Sequence, residues 1–274
     1  MKFNHLPESA DVFVQVCPLR DDANVCTDVT FWRKNPKSSL VYIFVLGAGG
    51  DGGSSASMGG GGGGSGGQTS LLIPALLLPD MLYVSTFCNS NANGLTGVFT
   101  HAMGKNTLTT WRAACIAYAN PGTSGAINVG GAGGTVAGAS SIAQGFGGIS
   151  ILLAGQAGTN GASSGAGTAN TYPTTGLVAT GGAGGGAANA AGGNITASTP
   201  RPAILGGAAT LDGGNGINTL FNALLPSGGA GGGGSNGGAG GRGGNGGFGC
   251  GGGGAGQNGA AGLGGPGLIV IAQW

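Results

Sequence analysis

The chain has 274 residues, 69 of them glycine, with 6% charged residues, a formal net charge of +1 and a mean hydropathy of +0.23. So little charge excludes the basic footprint of a nucleic-acid binder and the charged, hydrophilic composition of a disordered chain. Eleven prolines and broken glycine registers exclude a collagen triple helix. The run nearest to a membrane span, Leu71 to Leu82, is interrupted by Pro74, Pro79 and Asp80, so no membrane insertion is predicted.

Residues 1–39 differ in kind from the rest. Five of the nine basic residues (Lys2, Arg20, Arg33, Lys34, Lys37) and five of the eight acidic ones (Glu8, Asp11, Asp21, Asp22, Asp28) lie there, so this part must face water. Met1 to Ala10 lacks the apolar stretch of a secretory signal. Val12 to Cys17 is rich in β-branched residues, and Asp28 to Trp32 alternates, which predicts two strands. We read 1–39 as a β entry or attachment segment.

A strand over Leu40 to Leu46 then runs into a glycine burst. Gly47, Gly49 and Gly52 satisfy the spacing of a dinucleotide fingerprint, but Ser54 to Gln68 offers no helix and no acid at the required distance. Nucleotide binding is therefore not expected, and no cofactor is. Residues 69–119 form a β-rich insert, with strands predicted over Met81 to Phe87 and Thr107 to Tyr118 around a turn at Cys88 to Gly94. This insert carries most of the large side chains of the later chain. The histidines are His5 and His101, and the cysteines (Cys17, Cys26, Cys88, Cys115, Cys250) form no CxxC. No metal site follows. Cys17 and Cys26 either pair around the loop between them or remain free thiols.

From Pro121 onward, glycine patches alternate with short excursions over Asn170 to Val178, Ile195 to Leu205 and Ile217 to Leu225. These carry Tyr172, Pro173, Arg201, Pro202, Asn218, Phe221 and Asn222. The seven residues are either contact loops on a rigid scaffold or simple caps. Ser227 to Gly267 is the densest glycine run and falls into triplets such as Gly240-Gly241-Arg242 and Gly243-Gly244-Asn245. A period of three fits neither a helix nor a strand, but fits a polyproline-II-type helix. A flexible linker has the same composition. The strand predicted over Leu268 to Ile271 argues for order, because it can close on Leu40 to Leu46 like a clasp. At about 3.1 Å per residue the forty-residue run would be roughly 120 Å long, so it is expected to fold back into several short rods. The predicted fold is mainly β with irregular structure and very little α-helix: a small β region plus bundled polyglycine-II helices, the glycine domain spanning 40–274.

Phe31 to Gly50, Ala126 to Gly134 and Gly264 to Trp274 resemble the opening, middle and closing strand-to-glycine steps of the glycine-rich domain of bacteriophage tail-fibre and appendage proteins. That family is related to the polyglycine-II-sandwich adhesins of phage tail tips. The resemblance covers residues 28 to 274. It implies a non-enzymatic virion component with no catalytic residues, located at the particle surface or on a tail appendage. Its partners would be other virion proteins, further copies of itself and a host cell-surface receptor met through the loops between rods. The alternative is a secreted structural or ice-binding protein built from similar rods.

Overall fold

The strand Leu40–Leu46 is apolar at every position because both of its faces are covered. The computed structural model describes residues 10–16, 27–87, 96–100, 115–136, 148–174, 176–199, 201–218 and 226–274. Within them the chain is mainly β with almost no helix: a single 3-10 turn, Ala75–Leu77, accompanies eleven strands. These are β1 (Asp11–Val16), β2 (Thr27–Arg33), β3 (Leu40–Leu46), β4 (Gln68–Pro74), β5 (Met81–Phe87), β6 (Thr96–Phe99), β7 (Cys115–Ala119), β8 (Ile149–Leu153), β9 (Asn170–Thr171), β10 (Ile195–Thr196) and β11 (Leu268–Gln273).

Two antiparallel sheets pack face to face. The first has the order β1-β11-β3-β4-β8, the second β2-β5-β6-β7. Alternation along each strand sends Val41, Ile43, Val45, Leu71, Ile73, Ile269 and Ile271 inward from the first sheet. They meet Trp32, Leu82, Val84, Val98 and Ile116 from the second in one core. β3 and β11 are hydrogen-bonded neighbours over their whole length, Leu46 opposite Leu268 and Val41 opposite Gln273. The two strands of residues 1–39 are not partners of each other. β1 edges the first sheet beside β11, and β2 edges the second beside β5, so this segment is part of both layers. The outer face of the first sheet (Phe44, Leu46, Leu268, Val270) is covered by Val178, Ala179, Phe248 and Cys250 from the glycine region.

The strands run without a break into extended glycine threads. β3 continues as 47–53, β7 as 120–126 and β8 as 154–162, while 59–67 leads into β4 and 259–267 into β11. The threads bond to one another through the main chain, each direction repeating every third residue. In thread 250–257, Gly251, Gly254 and Gln257 donate to Thr180, Ala183 and Gly186; Gly252 and Ala255 donate to Gly50 and Gly53; Gly253 and Gly256 donate to Gly244 and Gly241, all at 2.8–3.0 Å. The same thread accepts bonds from three others, through Gly229 and Gly232, Gly60 and Gly63, and Gly262 and Gly265. Six threads thus surround it. A Cβ on Gly254 would sit 1.9 Å from the Gly60 oxygen and one on Gly251 1.9 Å from the Gly63 oxygen, which is why this thread carries so few side chains.

Glycine density follows position in the bundle. Surrounded threads are nearly pure glycine, and where a side chain occurs it is small, as at Ala183, Ala230, Cys250 and Ala255, all buried. Perimeter threads carry more side chains. One exposes Ala154, Ala157 and Asn160. Another carries Arg242, Asn245 and Phe248 at every third residue, with Arg242 exposed, Asn245 accepting from Leu263 N and Phe248 packed on the outer face of the first sheet. The fingerprint-like glycines are in the same use. The N–H groups of Gly47, Gly49 and Gly52 donate to Gly67, Gly265 and Gly262 at 2.8–2.9 Å, so none is left to meet a phosphate.

Cys115 and Cys250 are buried free thiols. Burial pushes the Cys250 thiol from 9.0 up to about 12, against smaller lowering by the Thr180 N–H, 3.2 Å from its sulfur, and by the charge of Arg201. Burial raises Cys115 in the same direction. Between about pH 9 and 12 the folded protein therefore keeps protons that the unfolded chain has lost, and stability falls as pH rises through that window. Thermal unfolding from pH 7 to 11 should show this alkaline decline, and a Cys115→Ala/Cys250→Ala variant should show less of it. Neither thiol should react with iodoacetamide at pH 8 until the protein unfolds.

Candidate contact surface at the sheet end of the threads

Threads 47–53, 59–67, 120–126, 154–162 and 259–267 each have one end at a strand and one end away from the sheets. The far end holds tight turns, including Asn128, Ala188, Asn189, Thr210 and Asn258 with positive φ. The longer excursions around 172–178 and 197–203 fall at the sheet end, as does Asn218. Tyr172, Pro173, Arg201, Pro202 and Asn218 therefore share one end of the bundle.

Four of them come together. β9 and β10 pair in parallel, Asn170 opposite Ile195, and Ile195 bridges Ile204. The chain turns between Ser198 and Arg201, whose backbones bond reciprocally. This turn lays the Arg201 guanidinium over the Tyr172 ring, 5.0 Å from its centroid. The Tyr172 hydroxyl donates to the Pro202 carbonyl at 2.8 Å. Tyr172 is only 5% exposed, packed with Ala183, Ile195, Ile204 and Ala230. It is thus a support for the two excursions rather than a surface contact. Burial raises its phenol above the ordinary value, offset in part by the Ser227 hydroxyl and the Arg201 charge. Nη1 of Arg201 is buried and meets no acceptor among the described residues.

Pro173 is half-buried and Pro202 exposed. Pro173 lines an open hollow of about 360 Å³ with Gln156, Thr171, Tyr172, Thr174 and Leu177. Gln156 fixes its floor: its amide Nε2 donates to Thr171 O at 2.9 Å, and its Oε1 accepts from Gly181 N at 3.0 Å. Gln156, Thr174 and Leu177 were not picked out by the sequence reading. The signal for Gln156 was there, a long polar side chain in a glycine patch, but its reach across two threads was not. Asn218 stands apart from the hollow, exposed, with its Oδ1 accepting from Phe248 N at 2.5 Å. Phe221 and Asn222 lie outside the described residues, as do Cys17, Cys26, Cys88, His5 and His101.

The surface offers shape, aliphatic contact and hydroxyl and amide groups. Among the described residues, no three His, Cys, Asp or Glu side chains gather closely enough to hold a metal ion, and no helix is long and apolar enough to cross a membrane. Replacing Tyr172 with Phe removes the part-buried hydrogen bond to Pro202 and should lower unfolding stability by about 1 kcal/mol, measured by denaturant titration. An unchanged stability would mean that the Tyr172–Pro202 bond does not hold the excursions.

No protein-family model matches the chain, and no curated protein matches it in sequence.

Proposed function

We propose that the chain is a non-enzymatic structural protein of a bacteriophage particle, a tail-fibre or appendage component at its surface. In this reading the threads are polyglycine-II helices, and their bundle is a stiff, nearly uncharged scaffold that presents the sheet-end excursions to a receptor or to neighbouring subunits. The observation that carries it is thread 250–257, which donates in three directions and accepts in three. Ordering glycine is unfavourable by roughly 0.5–1 kcal/mol per residue relative to alanine. A chain keeps 69 of them where rigidity without side chains is what is needed. The sequence resemblance over residues 28 to 274 supports the virion assignment.

The test has two parts. Mass spectrometry of purified particles should find the protein in stoichiometric amounts, and its absence would end the virion reading. Binding of the purified protein to host cells should then be compared with that of Thr174→Arg and Pro202→Asp, which alter exposed positions. Weakened binding identifies a receptor-contact role. Unchanged binding in a particle-borne protein leaves a role in holding subunits together.

A further inference from the structure

In the bundle, a thread whose N–H groups point outward is a potential docking edge, as an unpaired strand is in a sheet. Thread 240–248 would be such an edge. The N–H groups of residues 241, 244 and 247 donate to 233, 230 and 227, and those of 243, 246 and 249 donate to 260, 263 and 266. The third row, 242, 245 and 248, points away from both neighbours. The adjoining thread 211–218 does not meet it with main-chain carbonyls; those of Leu211, Gly214 and Ile217 accept from Gly233, Ala230 and Ser227. Side chains meet it instead. Oδ1 of Asp212, Asn215 and Asn218 accepts from the N–H of Arg242, Asn245 and Phe248 at 2.7, 2.8 and 2.5 Å. The spacing of three residues matches on both threads, and each pair is 30 residues apart in sequence. In return Gly213 and Gly216 donate to the Arg242 and Asn245 carbonyls.

We propose that Asp212, Asn215 and Asn218 form a lateral lock. They close the one row of thread 240–248 that would otherwise accept a glycine thread from a second copy of this chain. Three residues of a thread of this kind advance about 9.3 Å, so the row of 242, 245 and 248 presents donors at the repeat at which any other such thread presents carbonyls. The complementary partner is therefore another copy of the same bundle. A carboxylate or carboxamide on a short stem imitates the missing peptide carbonyl while ending the lattice. All three locking residues are exposed, so the row they cover lies at the surface, where a second copy can reach it.

The test compares Asp212→Ala/Asn215→Ala/Asn218→Ala with Asp212→Asn and Asn215→Asp, which keep an acceptor. Amide exchange at 242, 245 and 248 should rise about tenfold or more in the triple variant, while 243 and 246 stay protected. Sedimentation velocity should show the triple variant associating with concentration beyond the wild type, and the conservative variants behaving as the wild type. Faster exchange without added association, or unchanged exchange, overturns the proposal. Should the triple variant fail to fold, Asn215→Leu, similar in shape but lacking the acceptor, is read at the amide of residue 245 and in the same sedimentation experiment.

Discussion

Gly254→Val is expected to destabilise the protein by about 3 kcal/mol or more, a large part of the 5–15 kcal/mol of a typical domain. The first atom added would lie 1.9 Å from the Gly60 carbonyl oxygen and 2.9 Å from the Gly185 nitrogen. Neither neighbour can turn aside as a side chain would, since both are main chain in threads that bond elsewhere. Gly60 N donates to Ala255 O and Gly185 N donates to Gly60 O, at 2.8 and 2.9 Å. Making room means stretching these bonds and those of Gly254 itself, to Ala183 and from Gly232, each worth about 0.5–1.5 kcal/mol. The control is Gly165→Ala at a far-end turn. There nothing lies within 4 Å of the added carbon, and the remaining penalty is the positive φ of 85°, about 1–2 kcal/mol. Trp32, buried between the sheets, gives a fluorescence signal for both unfolding curves. Equal effects at the two sites would mean that the threads are not packed at main-chain distance.

How much of this was legible in the sequence depends on which force places each residue. β3 and β11 were legible because they are apolar runs bounded by glycine, and their pairing follows from the need to cover both. Glycine density also carries position, though only in hindsight. The stretch 59–67 is glycine but for Ser65 and is surrounded by threads, while 240–248 carries a side chain every third residue and lies at the perimeter. The division of β1 and β2 between two sheets was not legible. Both are short alternating strands joined by a polar loop, the pattern of a hairpin, and only the two-layer packing separates them. Tyr172 was misleading for a similar reason. An aromatic residue in a polar excursion reads as a contact residue. Yet its ring is buried under Arg201, and its hydroxyl is fixed to the Pro202 carbonyl, a partner 30 residues away that no local pattern announces. The Asp212, Asn215 and Asn218 row falls between these cases. Its spacing is visible in the sequence, but its partners on another thread are not.

Ile269→Ala is expected to destabilise the protein by about 2–5 kcal/mol and to loosen sheets and threads in one transition. Ile269 is fully buried in β11, flanked by Gln15 and Val45 on the neighbouring strands. It packs in the core that joins both sheets. Removing its outer carbons leaves a cavity that cannot close, because β11 is an interior strand tied on both sides. The loss should not stop at the sheet. Thread 259–267 is the direct continuation of β11, and Gly262 and Gly265 donate from it to Gly253 and Cys250 of the central thread. Threads 47–53 and 59–67, anchored by β3 and β4, reach the same central thread through Gly50, Gly53, Gly60 and Gly63. Glycine threads offer little apolar area of their own to bury, so their order leans on the strands that hold their ends. Hydrogen exchange followed by mass spectrometry should show the amides of 250–257 and those of β3 losing protection together, by the same factor. Threads that stayed protected while the strands exchanged would show instead that the bundle stands without the sandwich.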